Sequence, residues 1–178
     1  QGVSSAASDV YKRQPKNTYV PPGAIEPIET ILLINQDFDN IWRRLLMEFG
    51  SDFEIKSRDM KAGELTLLFN SKEIPKYIDC GMMNKEVYVN YIDRIFESTL
   101  DGQIYITLDP IDKNSTSIQT SVMYRFISKE TGTRWSFQTN KPKSILVGNP
   151  AYGLDPYREC RSKHFLEEVV MKQIAELE

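Results

Sequence analysis

DFDNIWRRLLMEFGSDFEIKSRDMKAGELTLLF, residues 37–69, is the stretch on which the fold turns. Its first half carries Phe38, Ile41, Trp42, Leu45, Leu46 and Phe49 at gaps of three, one, three, one and three. Those gaps set all six on one helical stripe. Asp37 is placed to cap this helix, because its carboxylate can accept from first-turn N–H groups that have no helical partner. Gly50 is placed to close it in the left-handed conformation that other residues resist. The period then changes. Phe53 and Ile55 alternate with Glu54 and Lys56, and Leu65, Leu67 and Phe69 alternate after a polar turn holding Gly63. A one-sided helix feeding a two-stranded meander needs more strands to complete a core.

Working outward, residues 30–34 (TILLI) suit a first strand ahead of that helix. Upstream, PKNTYVPPGAIEP holds four prolines and a glycine, and residues 15–29 read as an extended Pro-rich linker. Residues 4–14, SSAASDVYKRQ, can be read back into codons as one frame of a transposase-based sequencing-library adapter. Residues 1–14 are therefore set aside as an adapter scar, not native protein. This leaves one domain over residues 30–178.

Downstream, residues 70–97 carry Pro75, Gly81, Tyr77, Tyr88 and Tyr91 without a clean period. They read as a long irregular connection with room for a short helix or an edge strand. Regularity returns at Ile104, Ile106 and Leu108, followed by a polar turn at Asp112, Lys113 and Asn114. Ile118, Val122, Tyr124 and Phe126 then alternate with polar neighbours, which gives the clearest hairpin in the chain. Trp135 and Phe137 mark one more strand, over residues 133–139. Residues 141–156 form a loop punctuated by Pro142, Gly148, Pro150, Gly153 and Pro156. A last helix is predicted over residues 162–177, burying Phe165, Leu166, Val169, Val170, Ile174 and Leu177. Strands joined by short turns imply antiparallel pairing. The expected fold is α+β: a curved antiparallel sheet with two amphipathic helices on one face, helix-grip in style.

The chain is 40 % hydrophobic and 26 % charged, as ordinary globular domains are. No apolar run approaches the roughly 20 residues that span a bilayer. Net charge is −3 over 178 residues; setting aside Asp9, Lys12 and Arg13 with the scar leaves −4. A pI near 5.4 and no basic block make nucleic acid a poor partner. Two cysteines, Cys80 and Cys160, permit one disulfide or two buried thiols.

Chemistry is sparse. The single histidine, His164, lies four residues after Cys160, and reads as a surface histidine beside a structural cysteine. Two distant cysteines and one histidine do not make a zinc site, and no calcium-loop spacing occurs. No GxGxxG or GxxxxGK[ST] cradle is present. Asp37 with Asp39, and Glu167 with Glu168, sit at helix starts, where capping and solvation account for them. Arg43 with Arg44, and Lys141 with Lys143, read as solvated cations. No catalytic residue, metal ligand or cofactor site is assigned.

YIDCG (residues 77–81) and the segment holding Glu159, Cys160, Ser162 and, further on, Leu166 and Glu167 resemble small lipoproteins of the proteobacterial cell envelope. There, a "YIDCG"-like and an "EC.S…LE" segment bracket a hairpin. FDNIWRRLLMEFG followed by FEIKSRDMKAGELTL is similar to the repeating helix-grip unit of BamC-type outer-membrane assembly lipoproteins. Lys163 and His164 stand where the "EC.S…LE" pattern has small residues. The resemblance implies a non-enzymatic, periplasm-facing domain held at the outer membrane by an N-terminal lipid anchor and acting on other envelope proteins. In an oxidising envelope, Cys80 and Cys160 would bridge. The alternative is a helix-grip binder of a small apolar ligand or lipid, its cavity lined by Tyr124, Phe126, Trp135 and Phe137.

Overall fold

The computed structural model describes residues 18–83, 85–87, 98–127, 134–141 and 159–177. In chain order the elements are β1 (Tyr19–Val20), β2 (Ile31–Ile34), α1 (Phe38–Asp52), β3 (Glu54–Asp59), β4 (Glu64–Ser71), α2 (Ile74–Tyr77) and β5 (Ile78–Asp79). There follow β6 (Met82–Met83), β7 (Glu86–Val87), β8 (Thr99–Pro110), β9 (Thr116–Ile127), β10 (Arg134–Gln138), β11 (Arg161–Ser162) and α3 (Phe165–Ala175). The class is α+β, as expected, with the one-turn α2 as a third helix.

Asp37 caps α1 as its position predicts, Oδ1 accepting the Asn40 N–H at 2.9 Å. Ile41, Trp42, Leu45 and Phe49 are buried, and Phe38 and Leu46 flank them half-buried. Gly50 does not end the helix. The helix runs on to Asp52 and stops where Phe53 turns extended, its N–H bonded to the Phe49 carbonyl at 2.9 Å. The half-buried Phe53 ring packs on Phe49 at 5.9 Å, so side-chain burial, rather than a left-handed glycine, sets the exit.

The main sheet is antiparallel throughout, in the order β10-β9-β8-β4-β3, with β2 also on β9. Register puts Leu65 and Leu67 beside Ile106 and Ile104, and those beside Thr120 and Val122. This face is buried, and α1 and α3 share one core with it. On the other face Thr66, Gln103, Tyr105 and Ser121 are half-exposed. The β3–β4 turn needs Gly63, whose φ is +68°. A Cβ there would collide with the Leu108 carbonyl oxygen, while the Leu108 N–H binds the Gly63 carbonyl at 2.8 Å.

Two half-strands share one edge of β9. β10 pairs with residues 123–127 and β2 with residues 116–119. Between them, the Val122 N–H is taken by the Thr139 hydroxyl at 2.8 Å, and the Thr139 N–H binds the Val122 carbonyl at 3.0 Å. The Asn140 amide accepts from Ile28 N at 2.9 Å and donates to Ile28 O at 2.8 Å, as a strand neighbour would. The backbone pairing is carried across the break.

Three expectations change. The linker is docked in part: Tyr19 and Val20 pair with Met83 and Met82. The irregular connection holds α2 and the short strands β5 to β7, placed by long-range pairing that local periodicity does not encode. The last helix starts at Phe165, because Arg161 and Ser162 are drawn into pairing with Asp79 and Ile78. The predicted loop after Lys141 lies outside the described residues.

Trp42 is 4 % exposed at the centre of the α1 stripe, so Trp42→Ala is expected to cost about 3–5 kcal/mol. Arg43 is exposed, and Arg43→Ala is expected to stay within about 0.5 kcal/mol. Urea midpoints of the two variants check this; equal midpoints would refute the orientation of α1.

Candidate functional site

The two motif segments form one ribbon. β5 and β11 pair antiparallel, Asp79 with Arg161 and Ile78 with Ser162, and the next position of that register brings Cys80 to Cys160. The two are disulfide-bonded, with Cα atoms 4.1 Å apart and neither residue exposed. Asp79 accepts the Gly81 N–H at 2.8 Å, and Gly81 takes φ +78°. A Cβ on Gly81 would strike the Val20 carbonyl oxygen, so β1 can lie against the ribbon only over a glycine. The Tyr19 hydroxyl accepts the Glu159 N–H at 3.1 Å and donates to the Cys80 carbonyl at 3.1 Å, reaching both sides of the bridge.

Beyond the ribbon lies a buried carboxylate. Glu167, third residue of α3, is 1 % exposed. Its Oε2 accepts the Tyr124 hydroxyl at 2.6 Å, and its Oε1 accepts Thr139 and Ser162 at 2.9 Å each. Ser162 Oγ in turn accepts the His164 N–H at 2.9 Å. His164 is the N-cap of α3, 8 % exposed, with φ 62°, and its Nδ1 lies 3.8 Å from Glu167 Oε1. Three charge-assisted hydrogen bonds and the helix N-terminus together offset the desolvation of this charge. Burial, then the neighbouring Glu167 charge and the hydrogen bond to it, push the Tyr124 phenol well above its ordinary value.

The node differs from the sequence-based expectation on two points. His164 is buried at the N-cap position, where a surface position was expected. Glu167 is buried under three hydroxyls, where a solvated acid was expected; Glu168 is exposed. Glu167 lies on the α3 apolar stripe with Val170, Ile174 and Leu177, and that spacing of three, four and three is the one sequence signal that could have placed it. Ser162 gives its proton to the carboxylate, and the imidazole also faces Glu167, so the groups do not line up as a nucleophile–base relay.

Tyr124, Phe126, Trp135 and Phe137 are all exposed by 2 % or less. They stack in pairs, Tyr124 on Phe137 at 5.2 Å and Phe126 on Trp135 at 4.9 Å. The rings fill the space beside one another. Among the described residues no three of His, Cys, Asp and Glu cluster in a way that could hold a metal ion. Compared with known proteins, the chain matches no family model, no curated protein and no solved structure.

Unfolded, a tyrosine ionises near pH 10; folded, Tyr124 stays neutral well above that. Above pH 10 the fold therefore holds a proton that the unfolded chain releases. Its contribution to stability is whole below that pH and falls as pH rises past it, by about 1.4 kcal/mol per unit. Tyr124→Phe is expected to cost about 1.5–3 kcal/mol at pH 8, as one donor to a charged acceptor is lost. That gap should narrow between pH 10 and 11, because Phe has no proton to lose. Urea titrations of both proteins at each pH decide it, and a constant gap rejects the buried phenol.

Proposed function

We propose that this chain is the folded domain of a cell-envelope lipoprotein, working in an oxidising compartment through contacts with other envelope proteins. The observation that carries this reading is the buried Cys80–Cys160 bridge, since stable disulfides belong to oxidising compartments. The motif residues give it further support. Cys80, Gly81, Cys160 and Ser162, on which the resemblance to envelope lipoproteins rests, are the residues that build the bridged ribbon and its polar node. Among the described residues no helix is long and apolar enough to cross a membrane, so in this reading attachment is left to an N-terminal lipid. The role in contacts rests on that same resemblance.

The full-length gene product, expressed in a Gram-negative host, is expected to incorporate labelled palmitate and to sediment with the outer membrane. Cys80 and Cys160 should alkylate in denaturant only after a reductant is added. Free thiols in cells, or an unacylated soluble product, overturn the assignment. The bridge closes a separation of 80 residues, so Cys80→Ser with Cys160→Ser is expected to lower stability by about 4 kcal/mol. Urea unfolding of the purified domain measures it.

A further inference from the structure

Where β10 ends and the chain entering β2 passes, a cleft of about 40 Å3 opens beside the Glu167 node, lined by residues that include Pro27, Asn140, Lys141, Arg161, Ser162 and His164. We propose that this cleft binds a carboxylate group, with Arg161 and His164 as the recognising side chains.

Both residues hold a buried nitrogen that meets no acceptor: Nε of Arg161 and Nδ1 of His164. Two polar neighbours are otherwise engaged. Asn140 spends its amide on Ile28, and Ser162 spends its hydroxyl on Glu167. Arg161 is held by both ends of its guanidinium, Nη1 to the Gly23 carbonyl at 3.5 Å and Nη2 to Glu159 Oε2 at 3.1 Å. A cation fixed in this way sets a positive charge beside the cleft, which complements the charged oxygens of a carboxylate. The His164 ring is nine-tenths buried, and its backbone is fixed by the Ser162 hydroxyl. It borders the cleft, and its Nδ1 lies 3.8 Å from Glu167 Oε1, so the ring adjoins both a guest and the buried acid.

Charge favours an anion. The ionisable residues lining the cleft are Lys141, Arg161 and His164, all of them bases. Of the described acids bonded or close to these residues, Glu167 is engaged by three hydroxyls and Glu159 by Arg161. The volume exceeds the roughly 10–15 Å3 of probe-occupied space that one water needs, but has no room for a sugar or a nucleotide. The carboxylate can be a free small acid or the C-terminus of a peptide chain. This inference concerns a ligand and stands apart from the compartment proposed above.

His164 is the only histidine in the chain, so its ring C–H signals in NMR report on the cleft without assignment. Acetate is expected to move those signals saturably. Chloride at equal ionic strength should not. A capped dipeptide with a free C-terminus, compared with its amide, separates the two sources. Binding about tenfold tighter than acetate assigns the site to chain termini, and equal binding assigns it to small acids. Arg161→Gln should weaken the acid about tenfold with the disulfide intact. Lys141→Gln, at an exposed position, should weaken it about twofold and serves as the test if Arg161→Gln does not fold. No saturable shift with either acid, an equal shift with chloride, or unchanged binding in the folded variants overturns the proposal.

Discussion

A carboxylate taken out of water has to be met by donors, and in this molecule the donors to Glu167 come from three separate places. Tyr124 is in β9, Thr139 follows β10, and Ser162 is in β11. An ionised carboxylate left without them would cost several kcal/mol, more than a domain of this size can easily spare. The three segments therefore converge on the first turn of α3. Apolar residues such as Leu166, Val170 and Ile174 hold the helix on the sheet, but an apolar stripe alone tolerates sliding. The carboxylate does not. It fixes the rotation and height of α3 by hydrogen bonds whose lengths leave little play.

The same corner holds the break in the sheet. β9 is twelve residues long, and no single strand covers its outer edge. Two pieces from opposite parts of the chain meet there, and the groups that would be orphaned between them are met by Thr139 and Asn140. Thr139 has a double task, accepting the Val122 N–H and donating to Glu167. Closure of the sheet and burial of the charge thus share one hydroxyl. The disulfide ribbon sits against this corner, since Ser162 pairs with Ile78 in the ribbon while its hydroxyl serves Glu167.

What the sequence discloses follows from how local each cause is. Asp37 caps a helix whose stripe is complete within twelve residues after it, and the hairpin of β8 and β9 is written in its own alternation. Both are legible. Glu167 is not, because an acid in the first turn of a helix looks the same in sequence whether it faces water or three hydroxyls. Two of its donors lie 43 and 28 residues away, where no local pattern reaches. The glycines make the same point. Gly50 and Gly81 are alike as letters, yet only Gly81 takes positive φ and is required by the approach of another strand. The disulfide was open on sequence grounds because pairing depends on the register of two short strands that have no period of their own.

The residues of the two short motifs can be read one by one as parts of this corner. Tyr77 packs edge-on against Phe69 at 4.8 Å and Phe165 at 5.4 Å, tying α2 to the sheet and to α3. Ile78 is buried, Asp79 shapes the turn, Cys80 bridges and Gly81 admits β1. On the partner segment Glu159 engages Arg161, Cys160 closes the bridge, Ser162 meets Glu167, and Leu166 enters the core. Each of these letters has a packing or hydrogen-bonding cause. Segments of this kind specify a corner whose geometry is complete only when two thiols have been oxidised. The nitrogens that the corner leaves without acceptors, on Arg161 and His164, are not among the letters of either motif. That is where one protein built on this corner can differ from another.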